Sequence, residues 1–217
     1  IQTLRAVENF PITGYQIHPE LIKALGIVKK AAALANMETK RLYDGLGNAI
    51  IEAADEVIEG KRNNQFIVDP IQGGAGTSMN KNANEVIANR ALELLGHKKG
   101  SYSDLSPNSH VNMSQSTNDV FPTAIHIATL NLLNKLLKTM NYMHSVFQKK
   151  AEQFDSIIKM GRTHLQDAVP IRLGQEFESY SRVLERDMKR IKQSYGHLYE
   201  VNMGATAVGT GLNADPR

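Results

Sequence analysis

Ser114, Ser116, Thr117, Asn118 and Asp119 crowd the segment 110–119, immediately before a long helical stretch. Short polar residues in that place are helix N-cap residues. A helix start also presents outward N–H groups and the positive end of the macrodipole, so it suits an anion. The segment holds neutral donors and neither Lys nor Arg, which predicts a grip on a small carboxylate by hydrogen bonds rather than by bulk charge. Alone, such a cluster is only a cap. Two further polar turns precede helical patterns: Gly73-Gly74-Ala75-Gly76-Thr77-Ser78-Met79-Asn80, and Gly161-Arg162-Thr163-His164-Leu165-Gln166-Asp167-Ala168-Val169-Pro170. Three of them exceed what connectors need.

The elements that must position these turns are read from apolar spacing. Pro19 and Glu20 open a helix, with Leu21, Ile22, Leu25, Val28 and Ala32 on one side, that fades near Arg41. A second runs from about 44 to 60. Residues 66–70 form an extended piece, and a third helix spans about 83–95, closed by Gly96. Residues 100–119 read as loop. From Pro122 to about Phe154 the chain predicts one helix of roughly thirty residues, about 45 Å long. A short link at 157–160 and the 161–170 turn then lead to a second long helix over about 172–199. Two long helices on a short connection predict an antiparallel pair within a bundle. The Gly-rich stretch 202–215 lacks the Lys-Ser/Thr of a P-loop and reads as a turn. The fold class is therefore mainly α: an N-terminal helical domain, 1–117, followed by the first long helices of an elongated bundle, 118–217.

Composition narrows the function. A hydrophobic content of 41% with 22% charged residues describes a globular chain. No apolar run approaches a membrane span, and the start lacks the apolar core of a signal peptide. The first residue is Ile, so the chain is expected to have been trimmed or to continue upstream. The sequence has no Cys, which excludes disulfides and thiolate metal sites and fits a reducing cytoplasm. His126 and His144 have no partner at metal-ligand spacing, so no metal is expected. Net charge is +3. The pairs Lys29-Lys30, Lys98-Lys99 and Lys149-Lys150 read as solvated helix faces, and without interleaved aromatics neither nucleic acid nor membrane is an expected partner. Asn112-Met113-Ser114 matches a glycosylation sequon by chance.

Taken in order on a helical background, the three turns resemble the aspartase/fumarase superfamily across essentially the whole chain. Residues 161–170 followed by Leu173-Gly174-Gln175-Glu176-Phe177 carry the most specific part of that resemblance. Within the superfamily, Gly73 to Asn80, Asn9-Phe10-Pro11-Ile12-Thr13-Gly14 and Ser116-Thr117-Asn118 are most similar to the aspartate-deaminating branch. The resemblance implies reversible anti-elimination of ammonia from L-aspartate to give fumarate, with no cofactor. It implies that Thr77, Ser116 and Thr117 donate to the carboxylate on which charge develops, one such donor being worth about 10²–10³ in rate. It further implies that Asn118 and His164 contact the leaving amino group and Thr163 the other carboxylate. A neutral imidazole can accept from an ammonium, whereas a protonated one cannot. Without the motif, His164 would read as a satisfied turn histidine.

The family also carries a flexible Ser- and Gly-rich loop that supplies the Ser base and a carboxylate-binding Lys. No such segment occurs in these 217 residues, and it is expected beyond Arg217. Residues 1–217 are thus expected to be a fragment with little activity alone. The resemblance implies a homotetramer whose active sites are shared between subunits. Two alternatives stay open: a fumarate hydratase, in which water rather than ammonia leaves, and a non-catalytic scaffold of the same superfamily.

Overall fold

The structure, a computed structural model, describes residues 1–216; Arg217, the last residue of the second expected domain, lies outside the described residues. The described chain is mainly helical, with one two-stranded ribbon. It forms two compact units, residues 1–129 with 200–216, and Leu130–Tyr199.

The first unit is built from α1 (Gln2–Asn9), α2 (Pro19–Glu38), α3 (Asp44–Ile58), α4 (Thr77–Leu94) and the first part of α5 (Thr117–Gln153). Pro19 sits in the first turn of α2, and the His18 imidazole accepts from the Glu20 N–H, so the start is capped by sequence-local groups. Leu25 and Val28 of α2, Ile50 and Val57 of α3, Ile87 and Leu92 of α4, and Val120 and Ala124 of α5 share one buried core. Short α1 is held by Glu85 of α4, which accepts from Thr3 Oγ1 at 2.6 Å and from two first-turn N–H groups.

Helix α4 begins at Thr77, six residues before the start expected from sequence. Asn80, Asn82 and Asn84 look like turn residues, yet each is buried with an amide partner. Helix α5 begins at Thr117 rather than at Pro122. Pro122 has no N–H to give the Asn118 carbonyl four residues back, and Asn202 Nδ2 donates to that carbonyl instead, at 3.1 Å. The expected loop 100–119 contains a single π turn, Pro107–Val111, whose N–H groups at Asn108 and Ser109 donate to Ser106 Oγ. Residues 66–70 form no strand.

The second unit holds the rest of α5, a hairpin of β1 (Ile158–Thr163) and β2 (Gln166–Arg172), and α6 (Leu173–Tyr199). The hairpin corrects the expected link and turn at 157–170. Pro170 lies on β2 opposite Met160 instead of starting a helix; a ribbon with two open edges tolerates it. Gln175 Oε1 accepts from the Arg172 N–H and caps α6. The two helices run antiparallel in this unit, as expected: Asn134 accepts from Tyr195 Oη, Phe147 meets Tyr180 and Phe154 meets Phe177. A Cβ on Gly174 would come within 2.4 Å of the Ala151 carbonyl oxygen, so glycine permits this close approach.

Candidate active site

In the first unit, the start of α5 is a closed capping box. Ser116 Oγ accepts from the Asn118 N–H at 3.2 Å, and Asp119 Oδ1 accepts from the Ser116 N–H at 2.9 Å. Fully buried Asp119 also accepts from the Thr206 N–H at 2.9 Å, which ties the 200–216 segment to the helix start. The cap itself consumes these two N–H groups. The side chains of this helix start offer a ligand the Ser116 and Thr117 hydroxyls.

A hydroxyl has one proton and two lone pairs. Ser116 Oγ already accepts from Asn118, and Thr117 Oγ1 accepts from Asn80 Nδ2 at 3.0 Å. With an internal donor on each oxygen, both protons are available to something outside. Thr77 differs: its hydroxyl donates to the Gly74 carbonyl oxygen, so its proton is spent internally in this conformation. Gly76, in the left-handed region at φ 88°, sets the turn that starts α4 against Phe121 of α5.

Ser116 and Thr117 line a cavity of about 770 Å³ within the first unit. Among the described residues, its wall contains Arg41 and Lys81 and no carboxylate side chain. Lys81 Nζ donates to Asn108 Oδ1 at 3.0 Å, and Arg41 pairs with Asp215 at 3.2 Å. Neutral donors with Lys81 and the Asp215-paired Arg41 on this wall can hold a small dianion. Sequence reading missed both cations, although Lys81 directly follows the glycine-rich turn.

It also misread Lys29. The expectation of a solvated face is overturned: Lys29 has 0% exposure and sits behind Asn112 and Gln115, two residues that line the cavity. Its ammonium donates to Asn112 Oδ1 and Gln115 Oε1, each at 2.9 Å. Burial lowers its pKa from the ordinary 10.5 to about 7; the Asp119 field opposes that shift and the Lys81 charge adds to it.

Of the other sequence-derived residues, Asn118 is exposed and its Nδ2 donates to the Ala207 carbonyl at 2.8 Å. Thr163 and His164 belong to the second unit, at the exposed hairpin tip. Thr163 pairs with Gln166, and the intervening His164 and Leu165 both have positive φ, 49° and 63°. Non-glycine residues in that region are strained, a feature that clusters at functional sites. His126 Nδ1 lies 3.1 Å from the Glu200 carbonyl oxygen. Among the described residues, no group of three or more His, Asp or Glu side chains gathers as a metal site, and no helix is long and apolar enough to cross a membrane.

Known proteins match this chain end to end. It is 82% identical over 216 residues to an aspartate ammonia-lyase of Bacillus subtilis, covering 100% of this chain and 46% of the relative. An aspartate ammonia-lyase of Escherichia coli K12 is 52% identical, with 98% and 45% covered. The chain thus spans about half the length of these curated relatives. A cobalt-bound fumarate lyase:delta crystallin from Brucella melitensis superposes with TM-score 0.95 at 50% identity, over 100% of this chain and 47% of that one. A class II fumarase from Schistosoma mansoni does so with TM-score 0.90 at 36% identity, over 100% and 46%. The family model described as Lyase matches residues 1–217, and the chain belongs to that lyase family.

Proposed function

We propose that the complete protein is an aspartate ammonia-lyase. A base removes the proton on the carbon next to the side-chain carboxylate of L-aspartate. The C–H electron pair moves onto that carboxylate as an enediolate, then returns to form the double bond as the C–N bond breaks. The –NH3+ group leaves with the C–N electron pair as ammonia, which becomes ammonium by taking up the proton removed from carbon or one from water, and fumarate remains; no cofactor takes part. The base is not assigned to any residue of 1–217.

The observation that carries this reading is the pair of hydroxyls at Ser116 and Thr117. Each has an internal donor on its oxygen and so keeps its proton for an external oxyanion. Preorganised donors of this kind stabilise the transition state more than the ground state, because charge gathers on the carboxylate only as the proton leaves. Thr77 joins them once its hydroxyl turns from Gly74. Asn118, its amide nitrogen engaged by Ala207, offers its oxygen to the leaving amino group. His164 contacts the same group and Thr163 the second carboxylate.

The proposal includes a homotetramer that shares its sites between subunits, with 1–117 as N-terminal domain and 118–217 as part of the central bundle, working in the cytoplasm. Within the second unit, Leu132, Leu136, Met143 and Val183 are exposed apolar residues on long helices, which supports association. Light scattering of the complete protein tests the tetramer.

The site reading is tested by Thr117→Val in the complete protein. The expected result is a loss of about 10²–10³ in kcat for aspartate with assembly intact. Unchanged kcat would remove Thr117 from the site. Hydration of fumarate is the second reading, supported by the 36% identity to the Schistosoma mansoni fumarase, and product identity separates the two.

A further inference from the structure

Behind Thr117, buried polar side chains form a chain with a fixed direction. Lys29 Nζ donates to Asn112 Oδ1 at 2.9 Å. The same oxygen accepts from Asn80 Nδ2 and from Asn84 Nδ2, both at 3.2 Å. Asn80 Nδ2 carries two protons; the second goes to Thr117 Oγ1 at 3.0 Å. Lys29 and Asn80 are 0% and 1% exposed, so water does not compete for these groups.

An amide can present either its oxygen or its nitrogen to a neighbour, and only its surroundings decide which. Here a group that must donate decides. As an ammonium Lys29 has donors alone, and as a neutral amine it still has two N–H groups for Asn112 Oδ1 and Gln115 Oε1, so the atom of Asn112 facing it is its oxygen in either state. That oxygen requires the Asn80 and Asn84 amides to turn their nitrogens toward it. Asn80 then has only an N–H to offer Thr117. The opposite arrangement, with the Asn80 oxygen toward Thr117, would draw the hydroxyl proton inward and away from a substrate. The arrangement has a cost, since Asn80 Oδ1 and Asn84 Oδ1 are buried without a hydrogen-bond partner. Leaving such an oxygen unmet forfeits its hydration with nothing in return. A network that accepts this cost twice is set by the lysine rather than by the best pairing of the amides.

We propose that Lys29 and Asn80 are positioning residues for the elimination: the lysine sets the direction of the Asn112–Asn80 amide chain, so that the Thr117 hydroxyl gives its proton to the substrate carboxylate. This rests on the reading of Thr117 as a substrate donor. Neither Lys29 nor Asn80 needs to touch the substrate. Their effect runs through one hydroxyl and should disappear when that hydroxyl is absent.

The test is a double-mutant cycle in the complete enzyme, with aspartate deamination followed as fumarate appears and assembly checked for each variant. The variants are Lys29→Met, Asn80→Asp, Thr117→Val and the two doubles with Thr117→Val. Asn80→Asp keeps the volume and replaces the donor by an acceptor, so it decides the matter if Lys29→Met does not assemble. Each single variant should lower kcat at least about 10-fold, with a smaller change in KM, because the donor matters most as charge develops. In the Thr117→Val background the same changes should cost less than about 2-fold. Losses that multiply independently of Thr117 would mean that Lys29 and Asn80 serve packing alone, and would overturn the proposal. Full activity in Lys29→Met and Asn80→Asp would do the same. Full activity in Thr117→Val would instead overturn the site reading, and with it this proposal.

Discussion

Lys29 is the residue whose surroundings most change its ordinary chemistry. Burial without a full ionic partner depresses its pKa to about 7 from 10.5. Below about pH 7 it is protonated whether the chain is folded or unfolded; above 10.5 it is neutral in both. Between these limits the unfolded chain holds a proton that the folded chain releases, so this group makes stability rise with pH. Relative to Lys29→Met, the wild-type protein should gain up to about 1.4 kcal/mol per pH unit across that window. Urea midpoints of the two proteins at several pH values check this, and a difference that stays flat above pH 7 would contradict it. The sequence could not reveal Lys29, because its neighbour Lys30 behaves as expected, partly exposed and paired with Asp55 at 2.8 Å. Successive helical residues point about 100° apart, so one lysine of a pair can face inward. Ser116 and Thr117 were legible as cap residues, but the availability of the Thr117 hydroxyl to a ligand depends on Asn80, which lies 37 residues away.

At the scale of elements, the site rests on two helix starts held against each other. Gly76 has φ 88°, and a Cβ there would fall 2.3 Å from the Phe121 ring. Gly76→Ala should therefore destabilise the protein by about 2–4 kcal/mol, from the left-handed backbone and the overpacked ring together. Thermal unfolding checks it, and a shift of less than a degree would contradict the close approach of α4 and α5. Most helices were legible, since Leu25, Val28, Ile50 and Val57 keep helical spacing and are buried. The start of α4 was not, because its asparagine side-chain nitrogens find their acceptors only in groups distant in sequence. Pro122 hid the first turn of α5 for a similar reason: Asn202 takes the carbonyl that the proline leaves unserved. The hairpin was hidden by its own turn. His164 and Leu165 occupy conformations in which Asn or Gly is the usual signal of a two-residue hairpin.

At the scale of the whole molecule, the chain belongs to a lyase family along its length and folds as two compact units. The resemblance in the three turns pointed to the family that the comparisons show, because those turns are long and specific. The cations of the cavity were not legible, since Arg41 and Lys81 stand outside the polar run and meet it only through the fold. The exposed apolar residues of α5 and α6 support the proposed tetramer, in which long helices would cover them. The central claim is ammonia addition rather than water addition, and proton NMR of the complete protein with fumarate and ammonium tests it most directly. The account predicts aspartate signals that grow as fumarate is consumed, with no malate. Malate in their place, at the same ammonium concentration, would contradict it.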